Sequence, residues 1–131
     1  MNFEYKMLVL MTFFFLFAWL PSSVAKLRSF GGKWLASNRS PLIGKELAPW
    51  GARAERAYSN LKDYYPGFVV AIILLGTLNK FNDLTAWAAG LYVFARLVHY
   101  IAYTAGNFTF RFLAYVLAMS SNVFLLVKVL C

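Results

Sequence analysis

Four apolar stretches, each close to the length of a membrane-spanning helix, dominate this sequence of 131 residues. They cover about residues 7–25, 51–78, 84–104 and 109–129, and the second is polar at its start. About 20 apolar residues in a helix cross the hydrocarbon core of a bilayer. Only 14% of the residues are charged, against about a quarter in soluble domains. We therefore predict an all-α integral membrane protein, with residues 1–131 forming one up-down-up-down bundle of four helices.

The first stretch has a second interpretation as a signal peptide. Ser23-Val24-Ala25 resembles a cleavage site with small residues at its first and third positions. The segment before the stretch is a poor match to the basic start of a signal peptide, because Glu4 offsets Lys6. We therefore expect a retained first helix, and cleavage stays open as the alternative.

The basic residues, which give a net charge of +8, lie in gaps between the apolar stretches. This placement favours anionic lipid or an anionic substrate as a partner and argues against nucleic acid. Eight of them stand in the first connection and the start of the second helix: Lys26, Arg28, Lys33, Arg39, Lys45, Arg53, Arg56 and Lys62. Basic connections stay in the cytoplasm. The first connection is therefore predicted to be cytoplasmic and both termini to lie on the opposite side.

Three sets of polar residues recur at helical spacing at depths that the bilayer core would surround. The sets are Arg53, Arg56, Asn60 and Asp63; Tyr92, Arg96, His99 and Tyr103; and Arg111 with Tyr115. Each set shares one face of its helix, because side chains three or four positions apart lie on the same face. Ionisable groups inside a membrane usually face the bundle interior, so these faces are predicted to converge.

Asp63 and Arg96 are predicted to form a buried ion pair. At 1.5 Å per residue, Asp63 lies about 18 Å and Arg96 about 12 Å from the cytoplasmic ends of their helices. A buried guanidinium needs a counter-charge, and Asp63 is the only acid expected near that depth. The pair could serve only to lock the bundle. The remaining cations and tyrosines are then unexplained, and they suit a pocket for an anionic ligand that accepts several hydrogen bonds.

A metal site is not expected. His99 is the only histidine and Cys131 the only cysteine, so neither has a partner of these types at the spacing of metal ligands. His99 can be a structural hydrogen-bonding group or a ligand contact, and the sequence leaves both interpretations open.

Three segments resemble the MAPEG family, the membrane-associated proteins in eicosanoid and glutathione metabolism. Residues 53–66, RAERAYSNLKDYYP, resemble the helix-two signature of the family. Residues 96–103, RLVHYIAY, resemble its helix-three motif, and residues 111–115 resemble the start of its fourth helix. The similarity covers roughly residues 38–120, and it is the combination that is specific.

The resemblance implies a homotrimer of four-helix subunits that binds glutathione between neighbouring subunits, toward the cytoplasmic side. The positions that match ligand contacts of the family are Arg56, Asn60, Asp63, His99, Tyr103, Arg111 and Tyr115. It also implies that Arg111 stabilises the glutathione thiolate. In our mechanistic interpretation, Tyr103 or Tyr115 would then donate a hydrogen bond to the sulfur. Arg96 matches a buried arginine of the third helix.

Three positions depart from the family pattern. Asp63 stands where glutamate is usual, Ser59 where some members have arginine, and Phe112 where a serine is implicated in prostaglandin synthesis. The short connections are similar to those of bacterial members. Because Phe112 replaces that serine, prostaglandin synthesis is not supported. From the resemblance we expect instead a glutathione-dependent transferase or peroxidase that acts on a hydrophobic electrophile from the bilayer. The alternative is a non-catalytic membrane scaffold or accessory subunit, and lipid binding or transport is less well supported.

Overall fold

The computed structural model describes residues 1–40 and 44–131, and helices make up most of them. In chain order the helices are α1 Phe3–Phe17, α2 Leu20–Phe30, α3 Gly32–Leu35, α4 Pro49–Thr77, α5 Asp83–Ala105 and α6 Phe108–Leu130. The described residues contain no strand. Helices α1 and α2 follow one another closely and together form one column. With α4, α5 and α6, the described residues therefore form a bundle of four long helical columns. The prediction of an all-α membrane helix bundle is confirmed.

Hydrogen bonds between the columns show that neighbours alternate in direction. Glu4 at the start of α1 accepts from the Thr85 hydroxyl at the start of α5, at 2.5 Å. At the same end of the bundle, Lys80 Nζ donates to the Val129 carbonyl near the end of α6, at 2.7 Å. The arrangement is therefore up-down-up-down, with α1 parallel to α5 and α4 parallel to α6.

Among the described residues, three helical segments are long and apolar enough to cross a membrane: Phe3–Phe30, Asp83–Ala105 and Phe108–Leu130. Helix α4 has 29 residues, or about 43 Å at 1.5 Å per residue, so its length suffices. It does not join the other three because charged and polar residues occupy its first half. Large apolar side chains such as Phe13, Ile73 and Ile101 are exposed on the outside of the bundle, as the lipid-facing surface of a membrane protein requires.

The first column departs from the predicted single helix over 7–25. It runs from Phe3 to Phe30 and breaks at Ala18 and Trp19, between α1 and α2. Pro21 explains the break, because proline has no N–H to continue the helical hydrogen bonds. The Tyr100 hydroxyl donates to the Ala18 carbonyl at 2.5 Å, which satisfies one of the backbone groups at the break.

Close contacts at small residues set how α4 lies against its neighbours. A Cβ at Gly51 would overlap the Cβ of Ala25 in α2, and a Cβ at Gly67 would lie 2.8 Å from Nδ2 of Asn122 in α6. Against α5, the Phe68 ring stacks on Tyr92 at a centroid distance of 4.1 Å. These contacts bring the polar faces of α4, α5 and α6 within side-chain reach of one another.

Candidate functional site

The second polar set lies on the buried face of α5, between α4 and α6. Tyr92, Arg96 and His99 are 1%, 1% and 2% exposed. Tyr103, one turn further along, is partly buried. The prediction that this set faces the interior therefore agrees with where the structure places these side chains.

Arg96 has less hydrogen bonding than a buried guanidinium needs. Its Nη2 donates to Asn60 Oδ1 of α4 at 2.9 Å. Its Nε and Nη1 are buried without a hydrogen-bond partner in the described residues. A buried cation whose donors are unsatisfied is costly. Arg96 therefore has hydrogen-bonding capacity left for an acceptor that this single chain does not supply.

The predicted ion pair between Asp63 and Arg96 is absent from the described chain. No carboxylate of the described residues lies within ion-pair distance of Arg96, and Asp63 is exposed. The rotation of α4 accounts for this, because Asn60 faces α5 while Asp63 lies about 60° further around the helix. The polar partner of Arg96 comes from α4, as expected. It is the neutral amide of Asn60, however, and not the carboxylate of Asp63.

His99, Tyr103 and Arg111 form a second group on the side of Arg96 toward the α5–α6 turn. The His99 ring meets Tyr103 edge-on at a centroid distance of 5.6 Å. The Arg111 guanidinium lies over the Tyr103 ring at 4.6 Å and over Phe108 at 5.1 Å. His99 Nδ1 is buried without a partner in the described residues. Tyr103 therefore connects the imidazole with the Arg111 guanidinium, because its ring contacts both.

Tyr115 bonds to Tyr64 in α4, a residue that the sequence analysis did not select. The Tyr115 hydroxyl donates to the Tyr64 hydroxyl at 3.3 Å, and the two rings meet edge-on at a centroid distance of 5.5 Å. The Tyr64 carbonyl also accepts from the Tyr92 hydroxyl at 3.4 Å. Tyr64 follows Asn60 by four residues, and this spacing could have placed it on the site face of α4.

The structure leaves two predicted ligand contacts apart from this group. Arg56 and Asp63 are exposed on the outer side of α4, beside exposed Ser59 and Lys62. Within the described chain they contact none of the α5 and α6 site residues by hydrogen bond or ion pair. A polar face at this depth needs cover from protein or water, because charged groups are not stable against lipid.

The electrostatics of the buried group are strongly unbalanced. Arg96 and Arg111 have no ion-pair partner in the described residues, where the ion pair observed is Lys26–Glu55 at the surface. In the same part of the chain, no three of His, Cys, Asp or Glu come together to hold a metal. An open cavity of about 380 Å³ lies elsewhere, at the start of α5 beside Phe3 and Trp87. The polar group is therefore identified by the charge of its arginine side chains and not by the volume of a cavity.

These features define an integral membrane protein with a cationic, tyrosine-lined polar centre in a helix bundle. The chain belongs to the MAPEG family, whose sequence model matches residues 7–131. Membership associates it with membrane proteins of glutathione and eicosanoid metabolism in general. Comparison with curated proteins and with solved structures gave no match.

Proposed function

We propose that the protein is a glutathione-dependent membrane transferase or peroxidase that acts on a hydrophobic electrophile from the bilayer. The observation that carries the proposal is the unbalanced charge of the polar centre. Within the described residues, Arg96 is 1% exposed and has two nitrogens without a hydrogen-bond partner, and Arg111 has no carboxylate within ion-pair distance. Glutathione carries two carboxylates and a thiol that ionises, so it supplies the negative charge that such a centre would stabilise.

Arg111 is the proposed stabiliser of the glutathione thiolate. A cation within a few ångströms lowers the pKa of a thiol and raises the fraction of reactive thiolate. Arg111 is partly buried and is held against the Tyr103 ring. Its position therefore depends on packing and not only on its flexible stem. Tyr103 or Tyr115 would donate a hydrogen bond to the sulfur.

The reaction that follows is a displacement at the hydrophobic substrate. In the transferase reaction the thiolate sulfur forms a bond to an electrophilic carbon, and the leaving group departs with the electron pair of its bond. In the peroxidase reaction the thiolate attacks a peroxide oxygen and the O–O bond breaks. The departing alkoxide takes up a proton from solvent and leaves as an alcohol, and the sulfur becomes a sulfenic acid. A second glutathione then reduces the resulting sulfenic acid, giving glutathione disulfide and water.

We also propose that the site is completed between copies of the chain in a homotrimer. The support is the exposed polar face of α4 with Arg56, Ser59, Lys62 and Asp63, which cannot face lipid at low cost. A neighbouring copy would cover this face and enclose glutathione. Arg56 and Asp63 would then contact the charged ends of the tripeptide, while Asn60 and His99 contact it from the buried side.

Glutathione is expected to stabilise the folded protein, because a ligand that binds only the native state raises its free energy of unfolding. At 100 times its dissociation constant the increase is about 2.7 kcal/mol. Thermal unfolding in detergent, measured across a glutathione titration, tests this. An uncharged tripeptide of similar size at the same ionic strength is the control. Equal shifts with both peptides, or none, would instead favour a scaffold that retains the fold without the ligand.

For the orientation of the bundle in the membrane, we propose that its basic end faces the cytoplasm and that both termini face the other side. The native thiol of Cys131 is exposed, as is Ser37 in the basic segment. A membrane-impermeant thiol reagent should reach Cys131 of the wild type from one side only. It should reach Ser37→Cys, in a Cys131→Ser background, from the opposite side. Labelling of both positions from the same side would contradict the proposed topology.

A further inference from the structure

Arg53 of α4 lies against the end of α5 and the turn that follows it, close to the candidate site but outside its group of contacts. It stands in the second turn of α4 and is partly buried. Its Nε donates to the carbonyl of Thr104, 51 residues away in the last turn of α5, at 2.9 Å. The last four carbonyls of a helix have no partner within it, so this bond satisfies a backbone group that the helix leaves open.

The turn that follows α5 is shaped to receive this guanidinium. Gly106 has a φ of +83° and ends α5 in the left-handed conformation, which glycine adopts without strain. A Cβ at Gly106 would lie 3.3 Å from Nε and 3.4 Å from Cζ of Arg53. The guanidinium therefore packs directly against the backbone of the turn, in space that a larger residue would fill.

Two residues of the proposed catalytic group are attached to this turn. Tyr103 precedes the Thr104 carbonyl by one residue. Arg111 lies in the first turns of α6, where the Asn107 side chain caps the helix by accepting from the Phe110 N–H at 3.0 Å. The contact of 4.6 Å between the Arg111 guanidinium and the Tyr103 ring crosses the turn. Its geometry therefore depends on the angle at which α6 leaves α5.

We propose that Arg53 is a positioning residue: by holding the α5–α6 turn it sets where Arg111 stands relative to Tyr103. The proposal rests on the proposed function for its catalytic consequence, although the contact with the turn stands without it. It differs from the interpretation of Arg53 as one more cation for the anionic ligand. A ligand contact would act mainly on glutathione affinity, whereas a positioning residue acts mainly on the chemical step.

The experiment compares Arg53→Leu, Arg53→Lys and the control Arg28→Leu with the wild type in two measurements. Arg28 is an exposed cation near the same end of the bundle, outside the site. Steady-state kinetics with an aryl halide and varied glutathione separate kcat from the KM for glutathione. Hydrogen–deuterium exchange without ligand follows the amides of residues 106–111, which report on the turn whether or not glutathione binds.

For Arg53→Leu we expect kcat to fall about 10- to 100-fold, the cost of a small displacement of a reacting group, with KM changed less than about threefold. Exchange in the turn should become about tenfold faster, as expected when a hydrogen bond to a charged group is lost. Arg53→Lys should recover part of both effects, because an ammonium can donate to the carbonyl but cannot lie flat against Gly106. Arg28→Leu should change neither.

Three results would overturn the proposal: an increase in KM with kcat and exchange unchanged, faster exchange with kcat unchanged, or no effect of either substitution. If Arg53→Leu does not fold, Arg53→Lys alone carries the comparison, and wild-type values for it would also overturn the proposal. Failure of the proposed function is recognised separately, because wild-type protein would then show no glutathione turnover. In that event the catalytic part of the proposal fails with it, and the exchange measurement decides whether Arg53 holds the turn.

Discussion

Replacement of Arg111 by leucine is expected to slow glutathione turnover by about 10²–10⁴-fold, the range found when one electrostatic or proton-handling group is removed from an active site. The reason is the loss of the positive charge that would keep the bound thiol ionised. With glutathione saturating, the thiolate absorbance measured against pH should show a pKa well below that of the free thiol in the wild type. The variant should lose this shift.

Arg28→Leu is the matched control for Arg111→Leu. It removes an exposed arginine near the same end of the bundle, so it tests the general effect of one positive charge fewer. We expect less than a twofold change in turnover and no change in the thiolate titration. If the wild type binds glutathione without lowering the thiol pKa, the assignment of Arg111 is wrong even though the family and fold stand.

The second large effect is a loss of stability when Asn60 is replaced. It tests whether Asn60 or Asp63 is the partner of Arg96. Asn60→Leu removes the only described hydrogen-bond partner of a buried guanidinium. It should lower the free energy of unfolding by about 3 kcal/mol, the upper range for a hydrogen bond to a charged group. Asn60→Leu/Arg96→Leu should recover much of this loss, because neither polar group is then left buried alone. Denaturant-induced unfolding without glutathione measures Asn60→Leu, Arg96→Leu and the double variant, which completes the cycle.

Asp63→Asn serves as the comparison in the same experiment. Asp63 is unpaired with Arg96 in the described structure, and in the proposed homotrimer it would face the glutathione site. Without glutathione its substitution should therefore change stability by no more than about 0.5 kcal/mol. A loss of about 3–5 kcal/mol would instead show that Asp63 is the charged partner of Arg96, as the sequence suggested. Strictly additive effects of the Asn60 and Arg96 substitutions would show that these two residues are not coupled.

The polar residues of α5 show how far helical periodicity leads toward a site. The spacing of Tyr92, Arg96 and His99 placed them on one face, and the cost of charge in a membrane predicted that this face is buried. Both inferences depend only on distances along a single helix. The expectation for Asp63 depended in addition on the rotation of α4 against α5, which a sequence of apolar and polar residues constrains only to within part of a turn.

Arg53 and Tyr64 have partners on other helices that the sequence did not indicate. Arg53 shares a face with Arg56 and Asn60 in sequence, yet its partner is a backbone carbonyl of α5. Backbone acceptors at helix ends are present in every helix, so the sequence contains no signal for which one is used. Tyr64 belongs with Asn60 by its spacing, but its bond with Tyr115 exists only because α4 and α6 meet at this level.

The amino-acid sequence alone predicts that the chain is helical, that it lies in a membrane and that α5 and α6 carry polar groups inward. These properties follow from composition and periodicity, which act along one helix at a time. The structure adds that Arg96 bonds to Asn60 of α4 and that Arg53 donates to the Thr104 carbonyl at the end of α5. Partners on different helices depend on rotation and relative height, and these are set by packing at positions such as Gly51 against Ala25 and Gly67 against Asn122.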